Sequence, residues 1–200
     1  IFVVTGKSAM FKNGTIDHIK AVFAEQGKTC EVYSGIGGNP TTGEVLSGLA
    51  AMKAFDPDTV MAVGGGSAID ATKVMTLMCE YPELTLEDIR GGKAPAERKK
   101  LQFIAAPSTS GTASEVTRAA VITFAEENIK VGLKTTAFIP DIAILDGSLT
   151  LSMPKHVMVE TGMDALTHAV EAYIGRSTTK LTRAMAEEAV TLIAKYLLRA

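Results

Sequence analysis

The segment that decides the fold is Val60-Met61-Ala62-Val63-Gly64-Gly65-Gly66-Ser67-Ala68-Ile69-Asp70-Ala71-Thr72-Lys73. A buried strand leads into three glycines and then directly into a helix. Glycine lets the backbone approach a phosphate closely, and the helix N-terminus offers unpaired N–H groups. Ser67 followed by Asp70 resembles a capping box and predicts that the helix starts there. We expect a phosphate-binding turn; a tight turn without a ligand is the alternative.

Two better-known phosphate signatures are absent from this turn. The glycines do not follow the G-x-G-x-x-G pattern of dinucleotide-binding folds, and no Gly-Lys-Ser/Thr closes the turn as in a P-loop. ATP hydrolysis is therefore disfavoured.

Strand-like and helix-like segments alternate on both sides of this turn. Strands are predicted at 1–5, 29–33, 59–63, 101–106 and 142–145, and helices at 15–26, 41–55 and 68–79. Strands separated by helices favour βαβ units and a parallel sheet with both faces covered. The segments 119–124 and 130–133 flank a polar turn and predict a β-hairpin.

The pattern changes near residue 150, because everything from Pro154 onward is helix-like. This change predicts an α/β domain at 1–152, followed by the first helices of an all-α domain at 153–200. The chain starts within a strand-like run and ends within a helix-like one. We therefore expect a fragment or a processed piece of a longer protein.

A second polar turn follows the strand at 101–106. It contains Ser108, Thr109 and Thr112 in a segment rich in hydroxyl groups. In α/β sheets, ligands collect outside the carboxyl ends of the strands, so this turn could meet the same ligand as the glycine turn. A solvated Ser/Thr loop is the alternative.

One helical pair has the spacing of metal ligands. Asp164 and His168 are four residues apart and therefore share a helix face. A carboxylate and an imidazole so placed can bind one divalent metal ion. An ordinary surface pair is the alternative, and His18 and His156 are expected to face solvent.

Composition excludes several function classes. The net charge of −2 gives no electrostatic basis for binding nucleic acid or an anionic membrane. No apolar run reaches the roughly 18 residues of a membrane span. Cys30 and Cys79 lack metal-type spacing and resemble small buried hydrophobes. A cytoplasmic location is the simplest expectation.

Together, the motifs resemble those of the iron-containing (group III) alcohol dehydrogenase family over essentially the whole chain. The matching segments are Gly64–Ser67 with Asp70 and Lys73, Pro107–Thr112 with Glu115–Thr117, Gly162–Glu171, Asn39-Pro40 and Pro140-Asp141. The resemblance implies a dinucleotide-binding domain, a helical domain and the architecture shared with dehydroquinate synthase. It also implies hydride transfer between an alcohol or aldehyde and NAD or NADP.

The resemblance assigns roles by position. Gly66 and Ser67 would hold the pyrophosphate, with Gly65 and Asp70 in the same cofactor-binding motif. Ser108, Thr109 and Thr112 would line the cofactor site. Asp164 and His168 would be two ligands of a divalent metal ion, with iron favoured and zinc or nickel open.

The family adds further histidines to its metal site, and they are expected beyond residue 200. We therefore expect the chain by itself to bind metal weakly and to turn over little. No catalytic residue beyond the metal ligands is assigned.

A departure after the first strand bears on the nucleotide. Many NAD-using relatives carry an acidic residue there, which bonds the ribose and repels a 2′-phosphate. This chain has Gly6 followed by Lys7 and Ser8. Loss of the carboxylate and gain of a cation favour a 2′-phosphate, so we expect NADP to be accepted and preferred.

Several alternatives remain open at this point. A glycerol dehydrogenase-like enzyme would carry a zinc-type site, and a dehydroquinate synthase-like lyase would need cationic side chains that the helical segment lacks. A non-catalytic nucleotide-binding module is the third. An exposed strand at Ile1 would let two copies pair as a homodimer. The identity of the alcohol is not encoded in these residues.

Overall fold

The structure is a computed structural model that describes residues 1–200. The chain forms two compact units. The first comprises residues 1–108 and 114–149, and the second comprises residues 109–113 and 150–200. The division expected from sequence, 1–152 and 153–200, differs from these units chiefly in the short segment 109–113.

Seven strands lie in the first unit. They are β1 (Phe2–Gly6), β2 (Glu31–Ile36), β3 (Thr59–Gly64), β4 (Gln102–Pro107), β5 (Ala119–Phe124), β6 (Ile129–Lys134) and β7 (Ile142–Ala143). Five of them form a parallel sheet in the order β2-β1-β3-β4-β7, and β5 and β6 form the antiparallel hairpin. The predicted α/β class, parallel sheet and hairpin are confirmed.

Seven α-helices accompany the strands. They are α1 (Ala9–Lys12), α2 (Thr15–Glu25), α3 (Thr42–Phe55), α4 (Gly66–Glu80), α5 (Leu86–Arg90), α6 (Lys155–Ile174) and α7 (Lys180–Tyr196). The first five belong to the first unit, and α6 and α7 to the second. None of the helices has a stretch long and apolar enough to span a bilayer.

Burial explains why the central elements form. In β1, the run Phe2–Val4 is fully buried, as expected for a strand inside a parallel sheet covered on both faces. On α3, the predicted apolar stripe of Val45, Leu49 and Met52 is buried. Most of α4 is buried as well, because it packs against β3, α3 and the hairpin strand β5.

Two short helices and one strand differ from the sequence prediction. The short helices α1 and α5 were not expected, because one or two turns give too little periodicity to detect. Strand β7 has two residues instead of four. The C-terminal region forms two helices, in line with the several helices expected there, and Thr179 caps α7 by accepting the N–H of Thr182.

The expected pairing of two copies through the first strand is wrong. Strand β1 lies between β2 and β3 and is hydrogen-bonded to both. Both edges of β1 are therefore occupied within the chain, and no edge remains at Ile1 for a second copy.

Candidate nucleotide-binding site

The glycine turn joins the end of β3 to the start of α4. Gly64 is buried and has a φ of 151°, a backbone conformation that residues with a side chain rarely adopt. A Cβ at this position would lie 3.2 Å from the Ala68 Cβ. Only glycine therefore lets the strand turn this tightly into the helix.

The predicted capping box at the start of α4 is wrong. The N-cap is Gly65, and no side chain caps the helix. The Ser67 hydroxyl instead accepts the N–H of Asn39 at 3.3 Å. Because no side chain occupies the capping position, the first turn of α4 can offer its N–H groups to an anion.

A cavity of about 300 Å³ opens beside this helix start. Three connections contribute to its wall: the one after β1, the one after β2 and the glycine turn. Its lining residues are Gly6, Lys7, Ser8, Ala9, Ile36, Gly37, Gly38, Gly65, Ser67 and Ala68. The fold thus brings together Gly6, Lys7, Ser8, Gly65 and Ser67, which the sequence analysis singled out from two separate segments.

The contribution of β2 and the residues after it was not predicted from the sequence. Gly37 and Gly38 line the cavity next to Ile36. The available signal was the run Gly35-Ile36-Gly37-Gly38 at the end of a strand, where absent side chains leave room for a ligand.

A buried hydroxyl lies beneath the glycine turn. Thr5, the residue before Gly6 in β1, is fully buried, and its Oγ1 has no hydrogen-bond partner. A Cβ on Gly64 would lie 3.8 Å from this oxygen and also 3.8 Å from the Gly6 nitrogen. Because Thr5 is fully buried and is not among the residues that line the cavity, this hydroxyl is a feature of the core beneath the turn and not a wall of the cavity.

Lys7 forms an ion pair at the edge of the cavity. Its Nζ lies 3.3 Å from Glu44 Oε1, with the Lys7 side chain 65% exposed and that of Glu44 23% exposed. Glu44 also completes the capping box of α3 with Thr41. Glu44 was not predicted from the sequence as a site residue.

Asp70 does not line the cavity, although it belongs to the predicted cofactor motif. It is 8% exposed, and its Oδ2 accepts the N–H of Val121 at 2.8 Å. Its Oδ1 lies 3.7 Å from the Nζ of Lys73, which is itself 1% exposed. The carboxylate thus connects α4 to the hairpin.

Burial shifts both titrations in this pair. Loss of solvent raises the pKa of Asp70, although the Val121 N–H and the Lys73 ammonium oppose the shift. Burial also lowers the pKa of Lys73 to about 8, against the attraction of Asp70 and Glu115. For both groups, burial disfavours the charged form more than the neighbouring charges favour it.

The second polar turn is divided between the two units. Ser108 directly follows β4 in the first unit, is 8% exposed, and donates its backbone N–H to Gly64 O at 2.9 Å. Thr109 and Thr112 belong to the second unit and are partly buried there. The turn thus begins beside the glycine turn, as predicted from the adjacent strand ends.

Within the second unit, this turn contacts α6 closely. A Cβ on Gly111 would lie 2.6 Å from Thr161 O. Such a distance is far below an ordinary contact, so position 111 accepts only glycine without a shift of the turn or of the helix.

Asp164 and His168 share one face of α6, as predicted. The Asp164 Oδ1 lies 3.5 Å from His168 Nε2, and the side chains are 42% and 56% exposed. His18 and His156 are exposed, as expected. No group of three or more His, Cys, Asp or Glu side chains in the chain could hold a metal ion. The pair supplies donors of the right kind, but a catalytic site needs at least three protein ligands.

Comparison with known proteins adds family evidence to this geometry. Residues 1–147 match the family model "Iron-containing alcohol dehydrogenase", and residues 158–200 match "Fe-containing alcohol dehydrogenase family, C-terminal". The chain is 38% identical over 198 residues to an NADPH-dependent butanol dehydrogenase of Clostridium saccharobutylicum, covering 98% of this chain and 51% of that protein.

Solved structures agree with the sequence comparison. An iron-containing alcohol dehydrogenase from Thermotoga maritima superposes with a TM-score of 0.90 at 34% identity, covering 99% of this chain and 54% of that one. An NADH-dependent butanol dehydrogenase from the same organism gives 0.89 at 29%, covering 99% and 49%. The chain thus spans about half the length of these relatives.

Proposed function

Because the chain belongs to the iron-containing alcohol dehydrogenase family, we propose that it forms the nucleotide-binding part of an alcohol dehydrogenase. The reaction is transfer of a hydride between an alcohol or aldehyde and NAD(P). The observation that carries this proposal is the cavity at the strand ends, where Gly6, Lys7, Ser8, Gly65 and Ser67 converge. Ligands of open α/β sheets bind at this edge.

The cavity has the features that a pyrophosphate needs. Gly65 and Gly66 carry no Cβ, and the uncapped N-terminus of α4 offers N–H groups and positive dipole character. Ser67 adds a hydroxyl to the same wall. In this proposal, Ser108, whose N–H binds Gly64 O, contacts the cofactor from the first unit, while Asp70 acts only through α4.

NADP is the nucleotide that the end of β1 favours. Gly6 puts no carboxylate where the adenosine ribose would bind, and Lys7 and Ser8 suit a 2′-phosphate. A relative that uses NADPH and another that uses NADH both resemble the chain. The proposal therefore includes acceptance of both nucleotides with a preference for NADP.

The bound nicotinamide supplies the hydride chemistry, and the protein orients it and excludes competing reactions. Asp164 and His168 are proposed as two ligands of a divalent ion, with iron favoured by the family. Since two donors do not complete a catalytic site, these 200 residues by themselves are expected to bind nucleotide independently of metal. The substrate class is an alcohol or aldehyde.

A carboxylate placed inside the cavity tests the proposal. A Cβ at Gly38 meets nothing within 4 Å, so G38D should fold while adding negative charge beside the nucleotide. Gly132 in β6 is equally open and lies outside the cavity, so G132D is the matched control. Affinity is read from the emission of reduced nicotinamide.

We expect the unaltered chain and G132D to bind NADPH equally and G38D to bind at least about tenfold more weakly, because the added carboxylate repels the phosphates. Equal affinities of G38D and G132D, or no binding by the unaltered chain, would contradict the proposal. Addition of Zn²⁺ should leave these affinities unchanged.

A further inference from the structure

The charge at the nucleotide cavity comes from two side chains, of which only one lines the wall. Lys7 is the single charged residue among those that line the cavity. Glu44, at the third position of α3, forms the ion pair with Lys7 and does not line the cavity. A Cβ on the lining residue Gly37 would lie only 3.0 Å from Glu44 Oε1. A carboxylate therefore sits directly behind the cavity wall.

The position of this carboxylate is fixed by the backbone. Glu44 Oε2 accepts the N–H of Thr41 at 3.0 Å, and Oε1 accepts the N–H of Gly37 at 3.2 Å. The Thr41 hydroxyl in turn accepts the N–H of Glu44 at 3.2 Å. The Lys7 side chain is mostly exposed, whereas the Glu44 carboxylate is held by two backbone N–H groups.

The carboxylate is also negatively charged at neutral pH. Partial burial by itself would raise the pKa of Glu44. The N–H groups of Thr41 and Gly37 and the Lys7 ammonium outweigh that effect and hold the pKa below its ordinary value.

The Glu44 carboxylate is close enough to repel any anion that Lys7 binds. Glu44 Oε1 lies 3.3 Å from Lys7 Nζ, and a charge-assisted hydrogen bond from that Nζ to a phosphate oxygen is about 2.8 Å long. The phosphate oxygen then lies within roughly 6 Å of the carboxylate. If the Lys7 side chain moves so that the phosphate is farther from the carboxylate, the ion pair between Lys7 and Glu44 is lost.

We propose that Glu44 is a specificity-determining residue that disfavours a 2′-phosphate and keeps NAD competitive with NADP at this site. This inference rests on the proposed function, because it assumes that the nucleotide binds in the cavity. Position 6 carries no carboxylate, and Glu44 at the start of α3 supplies a negative charge near the cavity in its place. Lys7 attracts the 2′-phosphate, and Glu44 limits how strongly it does so.

The test compares NADPH and NADH affinities of the unaltered chain and E44Q. Glutamine is the other residue that capping boxes use at this position, so α3 keeps its start. Two charges about 6 Å apart in a solvated setting, one of them a phosphate, predict that E44Q gains about fivefold in affinity for NADPH. The NADH affinity should change less than about twofold, since that nucleotide carries no 2′-phosphate. In 0.5 M salt, the gain should fall toward one.

Two further variants keep the result interpretable. E31Q removes the same charge at the exposed start of β2, the strand end opposite the cavity, and should leave the NADPH to NADH ratio unchanged. E44A keeps the Thr41 hydroxyl cap and removes the charge if E44Q does not fold. A ratio in E44Q and E44A equal to that of E31Q overturns the inference while leaving the proposed function intact. Binding of neither nucleotide by the unaltered chain overturns both.

Discussion

The Lys73 ammonium and the Asp70 carboxylate, 3.7 Å apart and one turn apart on α4, bind the same free edge of the hairpin strand β5. Lys73 Nζ donates to Ala119 O at 2.7 Å, and Asp70 Oδ2 accepts from the N–H of Val121 at 2.8 Å. Ala119 and Val121 are two residues apart in the strand, so their backbone groups face the same side. The backbone of Arg118 faces the other side, where its carbonyl oxygen accepts the N–H of Thr135 at 3.0 Å. The pair thus satisfies two backbone groups of this edge, and Pro40 O accepts the N–H of Thr123 farther along it at 2.8 Å.

Removal of the buried cation should destabilise the first unit strongly. In K73M, Asp70 remains buried with its charge uncompensated, and Ala119 O loses its donor. We expect the free energy of unfolding to fall by roughly 3–5 kcal/mol, measured by urea denaturation. K53M, at an exposed position of α3, should change it by less than about 0.5 kcal/mol. The double variant K73M/D70N should be more stable than K73M; equal stability would argue against the pairing.

Because burial lowers the pKa of Lys73, we expect its contribution to the free energy of unfolding to rise at alkaline pH. Its pKa is about 8 in the folded chain against 10.5 for the ordinary side chain. Between these values, the unfolded chain binds the proton and the folded chain does not, so the free energy of unfolding increases with pH. The gain approaches about 3 kcal/mol at most.

K73M is the reference for that experiment, because it carries every other titrating group. Denaturation midpoints at pH 7.5 and 10 should diverge between the unaltered chain and K73M, with the unaltered chain gaining at the higher pH. Parallel pH profiles would show that Lys73 does not titrate in this range.

Gly111 should tolerate no side chain. In G111A, the new Cβ would meet Thr161 O at 2.6 Å, so the second polar turn or α6 must move. Overpacking of this kind costs about 1–3 kcal/mol. The matched change G147A meets nothing within 4 Å and should be nearly neutral in the same thermal or urea unfolding measurement.

The Asp164–His168 pair should bind a divalent ion weakly in these 200 residues. Calorimetric titration with Zn²⁺ is expected to give a dissociation constant weaker than about 10 µM, because two ligands leave most of the coordination sphere to water. D164N and H168Q should each reduce that binding further. Tight binding of one Zn²⁺ that survives both substitutions would mean that the pair is not the site.

The sequence by itself determined the elements with strong periodicity. Alternating strands and helices, the glycine turn before α4 and the hairpin at β5 and β6 follow from local patterns of burial and turn residues. The shared face of Asp164 and His168 follows from helical spacing alone. The short helices α1 and α5 were not predicted, because four or five residues are too few to show a helical pattern.

Only the tertiary structure decided which distant residues meet. Parallel pairing of β1 between β2 and β3 brings Gly6, Gly37 and Gly65 to one cavity, although nearly 60 positions separate the first from the last. It also turned Asp70 from an expected helix cap into a partner of the hairpin, and it placed Glu44 behind Lys7. Local sequence fixes backbone preference within a few residues, whereas the neighbours of a buried or charged group are set by long-range packing.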